Sequence, residues 1–174
     1  GCDALVRPLD MAAAYGTIAN DGRRNQTHFV SKVEDRAGKV LFEAAPQDKQ
    51  VISADVARQA IVGMEKVVTS GTYSAGALPD RRPAAGKTGT TEVEGGKNTD
   101  VWFVGFTPQL STAVWIGNPA ANTNMKGGRV QGGEPGVAVG GQRDPATSPL
   151  VDPDDPGVVG LGQHRVALHV PVVL

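Results

Sequence analysis

Between Pro83 and Thr91 the chain reads Pro-Ala-Ala-Gly-Lys-Thr-Gly-Thr-Thr, which gathers an ammonium, several hydroxyls and glycines on one short segment. Lys87 supplies positive charge, Thr88, Thr90 and Thr91 supply donors for an oxygen ligand, and Gly89 leaves the main chain approachable. That is the chemistry of an anion or carbonyl site. The β-branched threonines favour a strand. If residues 86–91 are extended, Lys87, Gly89 and Thr91 share one side and Thr88 and Thr90 the other. A ligand lying along such an edge takes main-chain hydrogen bonds by strand addition, while the hydroxyls and the ammonium fix its carboxylate. Lys-Thr-Gly alone is a common tripeptide, so its neighbours must decide whether it is a site. A phosphate loop is the first rival, because Gly86-Lys87-Thr88 matches the end of G-x-x-x-x-G-K-[ST]. Arg81 stands where that motif needs its first glycine, and strand-like sequence follows where a helix is required.

The elements that must position this segment can be read around it. Pro8 to Asn20 predicts a helix, with proline in the first turn, a small-residue face through Leu9, Ala12, Ala13 and Tyr15-Gly16, and Asn20-Asp21-Gly22 as its stop. Alternation from His28 to Asp35, a turn at Arg36 to Lys39 and a return over Val40 to Glu43 predict a β-hairpin. Ala44 to Gln50 reads as a polar linker. Ser53 is the expected N-cap of a second helix whose stripe Val56, Ala60, Met64 and Val67 runs to about Val68, after which Thr69-Ser70-Gly71-Thr72 breaks it. Ala84 to Glu92, Thr99 to Thr107 and Leu110 to Gly117 then predict an antiparallel meander. Both faces of its middle strand are apolar, so cover is expected on both sides. The fold class is therefore α+β, an antiparallel sheet with packed helices, and Lys87 lies on the first strand of the sheet with an open outer edge.

Composition narrows the function classes. A net charge of -1 over 174 residues, without a Lys/Arg cluster, argues against nucleic acid held by bulk electrostatics. One cysteine, Cys2, excludes an internal disulfide and disfavours a metal cluster. His28 is alone, and His164 and His169 lack a third ligand, so no metal site is expected. Trp102 and Trp115 are read as core anchors in preference to a saccharide platform. No charged-then-apolar leader and no apolar run of about 18 residues occurs. An export signal or membrane anchor is therefore expected upstream of Gly1, consistent with a start at Gly-Cys-Asp.

Several spaced motifs now combine: Arg7-Pro8-Leu9-Asp10-Met11-Ala12-Ala13-Ala14-Tyr15 with Ile18-Ala19-Asn20, Val67-Val68-Thr69-Ser70-Gly71-Thr72, Gly86 to Thr91, Asp100 to Pro108, and Val114-Trp115-Ile116-Gly117. In this order they resemble the C-terminal half of a penicillin-binding protein transpeptidase domain, most of all the bifunctional class A type. The resemblance covers roughly Leu5 to Pro119. It implies a serine D,D-transpeptidase that cross-links peptidoglycan stem peptides and binds penicillin and other β-lactams, without a cofactor, in an extracytoplasmic, cell-envelope location. It also implies roles. Lys87 contributes positive potential beside the acylating serine and the substrate carboxylate. Thr88 and Thr90 bind that carboxylate, Thr90 above all, and Gly89 lets the acyl group approach with Thr91 alongside. The Thr90 N–H is one of two oxyanion-hole donors.

The nucleophile is another matter. Acyl transfer in this family needs a serine three residues before a lysine, on one helix face, so that a base reaches the hydroxyl. Ser31, Ser53, Ser70, Ser74, Ser111 and Ser148 all fail S-x-x-K and S-x-N. The expectation is thus a fragment, inactive by itself, of an enzyme whose first two motifs precede it. A serine β-lactamase and a non-catalytic module that senses β-lactams or wall peptides are the alternatives. From Ala120 to Leu174 the sequence is rich in glycine and proline and patternless, which reads as disorder, as a linker or, by preference, as a reading-frame slip near Gly127 that replaced a closing helix. The domain reading is accordingly 1–119 transpeptidase and 120–174 tail.

Overall fold

The computed structural model describes residues 5–45, 48–74, 78, 82–93, 97–117 and 172–173. Two helices and a meander carry the core. Helix α1 (Pro8–Ala19) starts with proline at its first position, where no intrahelical N–H partner is lost, and Asp10 in its first turn takes two hydrogen bonds from Arg7 at 2.8 and 3.0 Å. The turn after α1 carries Asp21 and Gly22 at positive φ, 50° and 80°. Only glycine fits the second place, since an added Cβ would lie 2.2 Å from the Ile52 carbonyl oxygen. That turn is tied to the second helix, α2 (Ala54–Thr69), because Arg58 donates two 3.0 Å hydrogen bonds to the Asp21 carboxylate. Ser53 caps α2 as expected, its hydroxyl accepting from the Val56 N–H at 3.3 Å.

Between the helices lie two short ribbons. Strand β1 (Arg23–Asn25) pairs with β4 (Asp48–Gln50), and β2 (Lys32–Glu34) pairs with β3 (Val40–Glu43). The hairpin is where it was expected, with the return strand as predicted and the first strand confined to Lys32–Glu34 instead of running from His28 to Asp35. The polar linker reading of Ala44 to Gln50 is corrected, because β4 supplies the backbone partner that β1 needs. Exposed side chains on both strands leave no apolar alternation from which β4 could be read.

The main sheet has the order β5 (Ala85–Val93), β6 (Lys97–Phe106), β7 (Leu110–Gly117) and β8 (Val172–Val173), all antiparallel. The first three strands form the predicted meander. Val172–Val173, within the region read as a patternless tail, adds the fourth strand beside Leu110–Ser111. The remainder of the tail, with the frame-slip reading and His164 and His169, falls outside the described residues.

Alternation divides the sheet into two faces. On one, Ala12 and Gly16 bring α1 close to β6 and β7, where Ala12, Val104 and Ala113 form a core flanked by Met11, Tyr15 and Trp102. The Ser111 hydroxyl donates to the Ala12 carbonyl at 2.8 Å, joining residues 99 apart in sequence. On the other face Val68 and Tyr73, from the end of α2 and the turn beyond it, pack on Phe103. Phe103 and Phe106 are only 4% and 7% exposed, so β6 is covered on both sides as its sequence requires. Among the described residues no helix is long and apolar enough to cross a membrane.

Candidate functional site

β5 lies at one end of the sheet, and among the described residues no strand pairs with its outer side. Its inner side is locked to β6 in continuous register, with Lys87 opposite Val104, Thr88 opposite Phe103, Gly89 opposite Trp102, Thr90 opposite Val101 and Thr91 opposite Asp100. A bulge follows between Thr91 and Glu92. The extended run therefore contains every residue singled out from the sequence, and its end is marked by an irregularity that re-aims the chain.

The expected division of side chains holds. Lys87, Gly89 and Thr91 share the face that α1 covers farther in, and Thr88 and Thr90 share the face of α2. Lys87 is exposed, and its ammonium donates a 2.8 Å hydrogen bond to the carbonyl oxygen of Thr88. The side chain thus folds along its own strand and keeps the charge at the edge. On the opposite face Thr90 is exposed and Thr88 is half-buried.

Two glycines shape this strand for a steric reason. A Cβ at Gly86 would meet the tip of the Phe103 ring and the Val104 carbonyl oxygen, both at 2.8 Å. At Gly89 the fit is looser: an added Cβ would lie 3.3 Å from the Trp102 Cβ, a few tenths of an ångström too close, and 3.9 Å from the nearest indole atom, an ordinary contact. Trp102 is fixed in turn by Trp115, at 6.3 Å between ring centroids, and the Trp115 Nε1–H donates to Asp100 at 2.9 Å. Both tryptophans are half-buried packing residues, in keeping with the core-anchor reading. A second hydrogen bond to Asp100 comes from the Thr99 hydroxyl at 3.0 Å.

Thr72, expected from the sequence only as part of a helix break and of a family motif, is brought by the fold to the strand. Its hydroxyl lies 3.3 Å from that of Thr88. Next to it Tyr73 packs on Phe103 with ring centroids 4.7 Å apart, and burial pushes its phenol up to about 12. The phenol oxygen has no hydrogen-bond partner among the described residues. The available signal was Gly71-Thr72 directly after the apolar stripe of α2, a glycine stop delivering a hydroxyl. His28 is exposed, with Nδ1 3.3 Å from the Gln26 carbonyl oxygen. No group of three or more metal-ligating side chains occurs among the described residues.

Chemically the arrangement offers a sheet edge with main-chain groups, a cation folded along it and hydroxyls on the adjoining face. It suits an extended chain that ends in a carboxylate.

Comparison with known proteins bears on the same segment. The family described as penicillin binding protein transpeptidase domain matches residues 2–133, beyond Pro119 where the motif resemblance stopped. Penicillin-binding protein 1A of Mycolicibacterium smegmatis is 43% identical over 114 residues, 64% of this chain and 14% of that protein. Penicillin-binding protein 1A of Mycobacterium tuberculosis is 41% identical over 141 residues, 78% of this chain and 16% of that protein. Among solved structures, penicillin-binding protein PonA1 from Mycobacterium tuberculosis superposes with a TM-score of 0.67 at 34% identity, covering 77% of this chain and 37% of that one. Its complex with penicillin V gives 0.66 at 35%, covering 77% and 38%. The chain thus spans about a seventh of the length of the first curated relatives.

Proposed function

The chain belongs to the penicillin-binding protein transpeptidase family, on its class A side, and on that premise we propose that it supplies the substrate-binding strand of a serine D,D-transpeptidase that cross-links peptidoglycan outside the cytoplasmic membrane. The observation that carries this reading is the outer edge of β5, which no strand covers among the described residues, with Lys87 and Thr90 exposed along it and β6 paired on the inner side. A donor stem peptide, or a β-lactam in its place, lies antiparallel to β5 and takes main-chain hydrogen bonds from it. The hydroxyls of Thr88 and Thr90 hold its terminal carboxylate, and the Lys87 ammonium adds positive potential beside it. Gly89 keeps the strand low enough for the scissile carbonyl to reach the Thr90 N–H, one of two donors to the developing oxyanion.

The serine comes from outside these 174 residues, since none of theirs stands three before a lysine. Its oxygen attacks the carbonyl carbon, the C–N bond breaks, and the leaving amine takes up the serine proton through the neighbouring base. An acceptor amine then displaces the serine from the ester, forming the cross-link and returning the proton. Membrane attachment, on this reading, belongs to another part of the protein.

Acylation by a labelled penicillin tests the proposal. In the full-length protein Lys87→Ala slows acylation by about a hundredfold, the scale of losing one preorganised electrostatic group, with an unchanged thermal midpoint because Lys87 is exposed. The 174-residue chain alone forms no adduct. A stable acyl adduct on the isolated chain, or a Lys87→Ala protein acylated at the normal rate, overturns the proposal.

A further inference from the structure

The turn after α2 delivers a hydroxyl to β5 that no motif reading assigns. Thr72 lies 16 residues before Thr88 in sequence, yet their Oγ1 atoms are 3.3 Å apart. The segment carrying Thr72 is held firmly. Gly71 has no room for a side chain, since an added Cβ would lie 2.7 Å from the Lys66 carbonyl oxygen and 2.8 Å from the Val67 Cα. The Tyr73 N–H donates to the Val67 carbonyl at 3.0 Å, and the Tyr73 ring rests on Phe103, the register partner of Thr88. Thr72 is thus held between a glycine packed on the end of α2 and a buried ring that rests on the sheet.

A threonine hydroxyl has one proton and two lone pairs, and a carboxylate can only accept. When Thr88 donates its proton to a ligand carboxylate, its oxygen is left to accept, and the hydroxyl within reach is that of Thr72. We infer that Thr72 is a positioning and specificity residue for carboxylate-bearing ligands of β5, donating to Thr88 so that Thr88 points its proton at the ligand. A donor bonded behind another donor strengthens it by polarisation. Thr88 and Thr90 lie on one face two residues apart, roughly 7 Å along a strand, which a carboxylate bridges. Thr72 therefore orients one of its two anchors. The inference rests on the proposed role of Thr88, and its test separates the two.

The full-length protein is acylated with benzylpenicillin and with benzylpenicillin methyl ester, which lacks the anion, in Thr72→Val, Thr72→Ser, Thr88→Val and Thr72→Val/Thr88→Val variants. Thr72→Val is expected to slow benzylpenicillin by about three- to tenfold, the scale of one hydrogen bond, and the ester by less than about twofold. Thr72→Ser restores the rate, and the double variant is no slower than Thr88→Val, as expected for groups acting in series. Equal losses for both ligands, additive losses in the double variant or no rescue by serine overturn the inference, because a merely structural threonine behaves in those ways. If Thr88→Val separates the two ligands and Thr72→Val does not, the role of Thr72 falls and that of Thr88 stands. If Thr88→Val treats both ligands alike, the carboxylate role of Thr88 falls and takes this inference with it.

Discussion

The hairpin of β2 and β3 and the pair of β6 and β7 are built from similar residues and end in opposite environments. Val33 and Phe42 face each other across the hairpin and are 41% and 50% exposed. Phe103 and Val114 face each other across the sheet and are 4% and 5% exposed. Each pair is a cross-strand contact between an aromatic and a β-branched side chain. The difference lies in what covers them, since Val68 and Tyr73 close over Phe103, whereas among the described residues no helix packs on the hairpin. Backbone pairing therefore makes a strand in either place, and burial alone makes it part of the stable scaffold that presents β5.

The sharpest way to break the comparison is a proline in each region. Thr90→Pro in the full-length protein removes a backbone donor on β5, and penicillin acylation is expected to fall by at least about a hundred- to a thousandfold. Val33→Pro in β2 leaves it unchanged, and Thr90→Ser, which keeps both donors, costs less than about tenfold. A Thr90→Pro protein that acylates normally removes Thr90 from the oxyanion site.

A smaller effect is read in stability. Phe103→Ala costs about 3–5 kcal/mol by chemical denaturation, the range for a buried aromatic, because it also strands Tyr73. Phe42→Ala, half-exposed on the ribbon, changes stability by less than about 0.5 kcal/mol. Equal costs mean that the hairpin is covered in the full-length protein, and the contrast between the two regions disappears.

The smallest effect concerns Tyr73. Burial raises its phenol to about 12, so the fold favours the neutral form. Its contribution is present below the ordinary tyrosine range near 10 and is lost as pH rises from there through about 12. Tyr73→Phe abolishes that part of the alkaline loss and costs little at neutral pH, since the hydroxyl has no partner among the described residues. A large loss at neutral pH reveals a partner for the phenol elsewhere in the protein.

Much of this was legible along the chain. The caps of both helices, the hairpin and the three long strands were each announced by neighbours within a few positions: Pro8 and Asn20-Asp21-Gly22, Ser53, Arg36 to Lys39, Pro108-Gln109. The candidate site was legible too, because its residues are consecutive and strand alternation assigns their faces. β4 was not, since Asp48–Gln50 is polar and exposed on both faces and its pairing with β1 leaves no periodic trace. Thr72 was missed for a different reason. Its partner is 16 residues away, and a hydroxyl after a glycine stop reads locally as nothing more than the end of a helix.

What the sequence by itself determined is the set of local elements and the chemistry of β5, because capping, alternation and the steric needs of glycine act between residues close along the chain. The family follows from the same source, through the order of its motifs. Only the tertiary structure decided which apolar strands are buried, that Trp102 stands opposite Gly89, and that Thr72 reaches Thr88. Those depend on where helices cross the sheet, and that is set by packing among residues as far apart as Ala12 and Ser111.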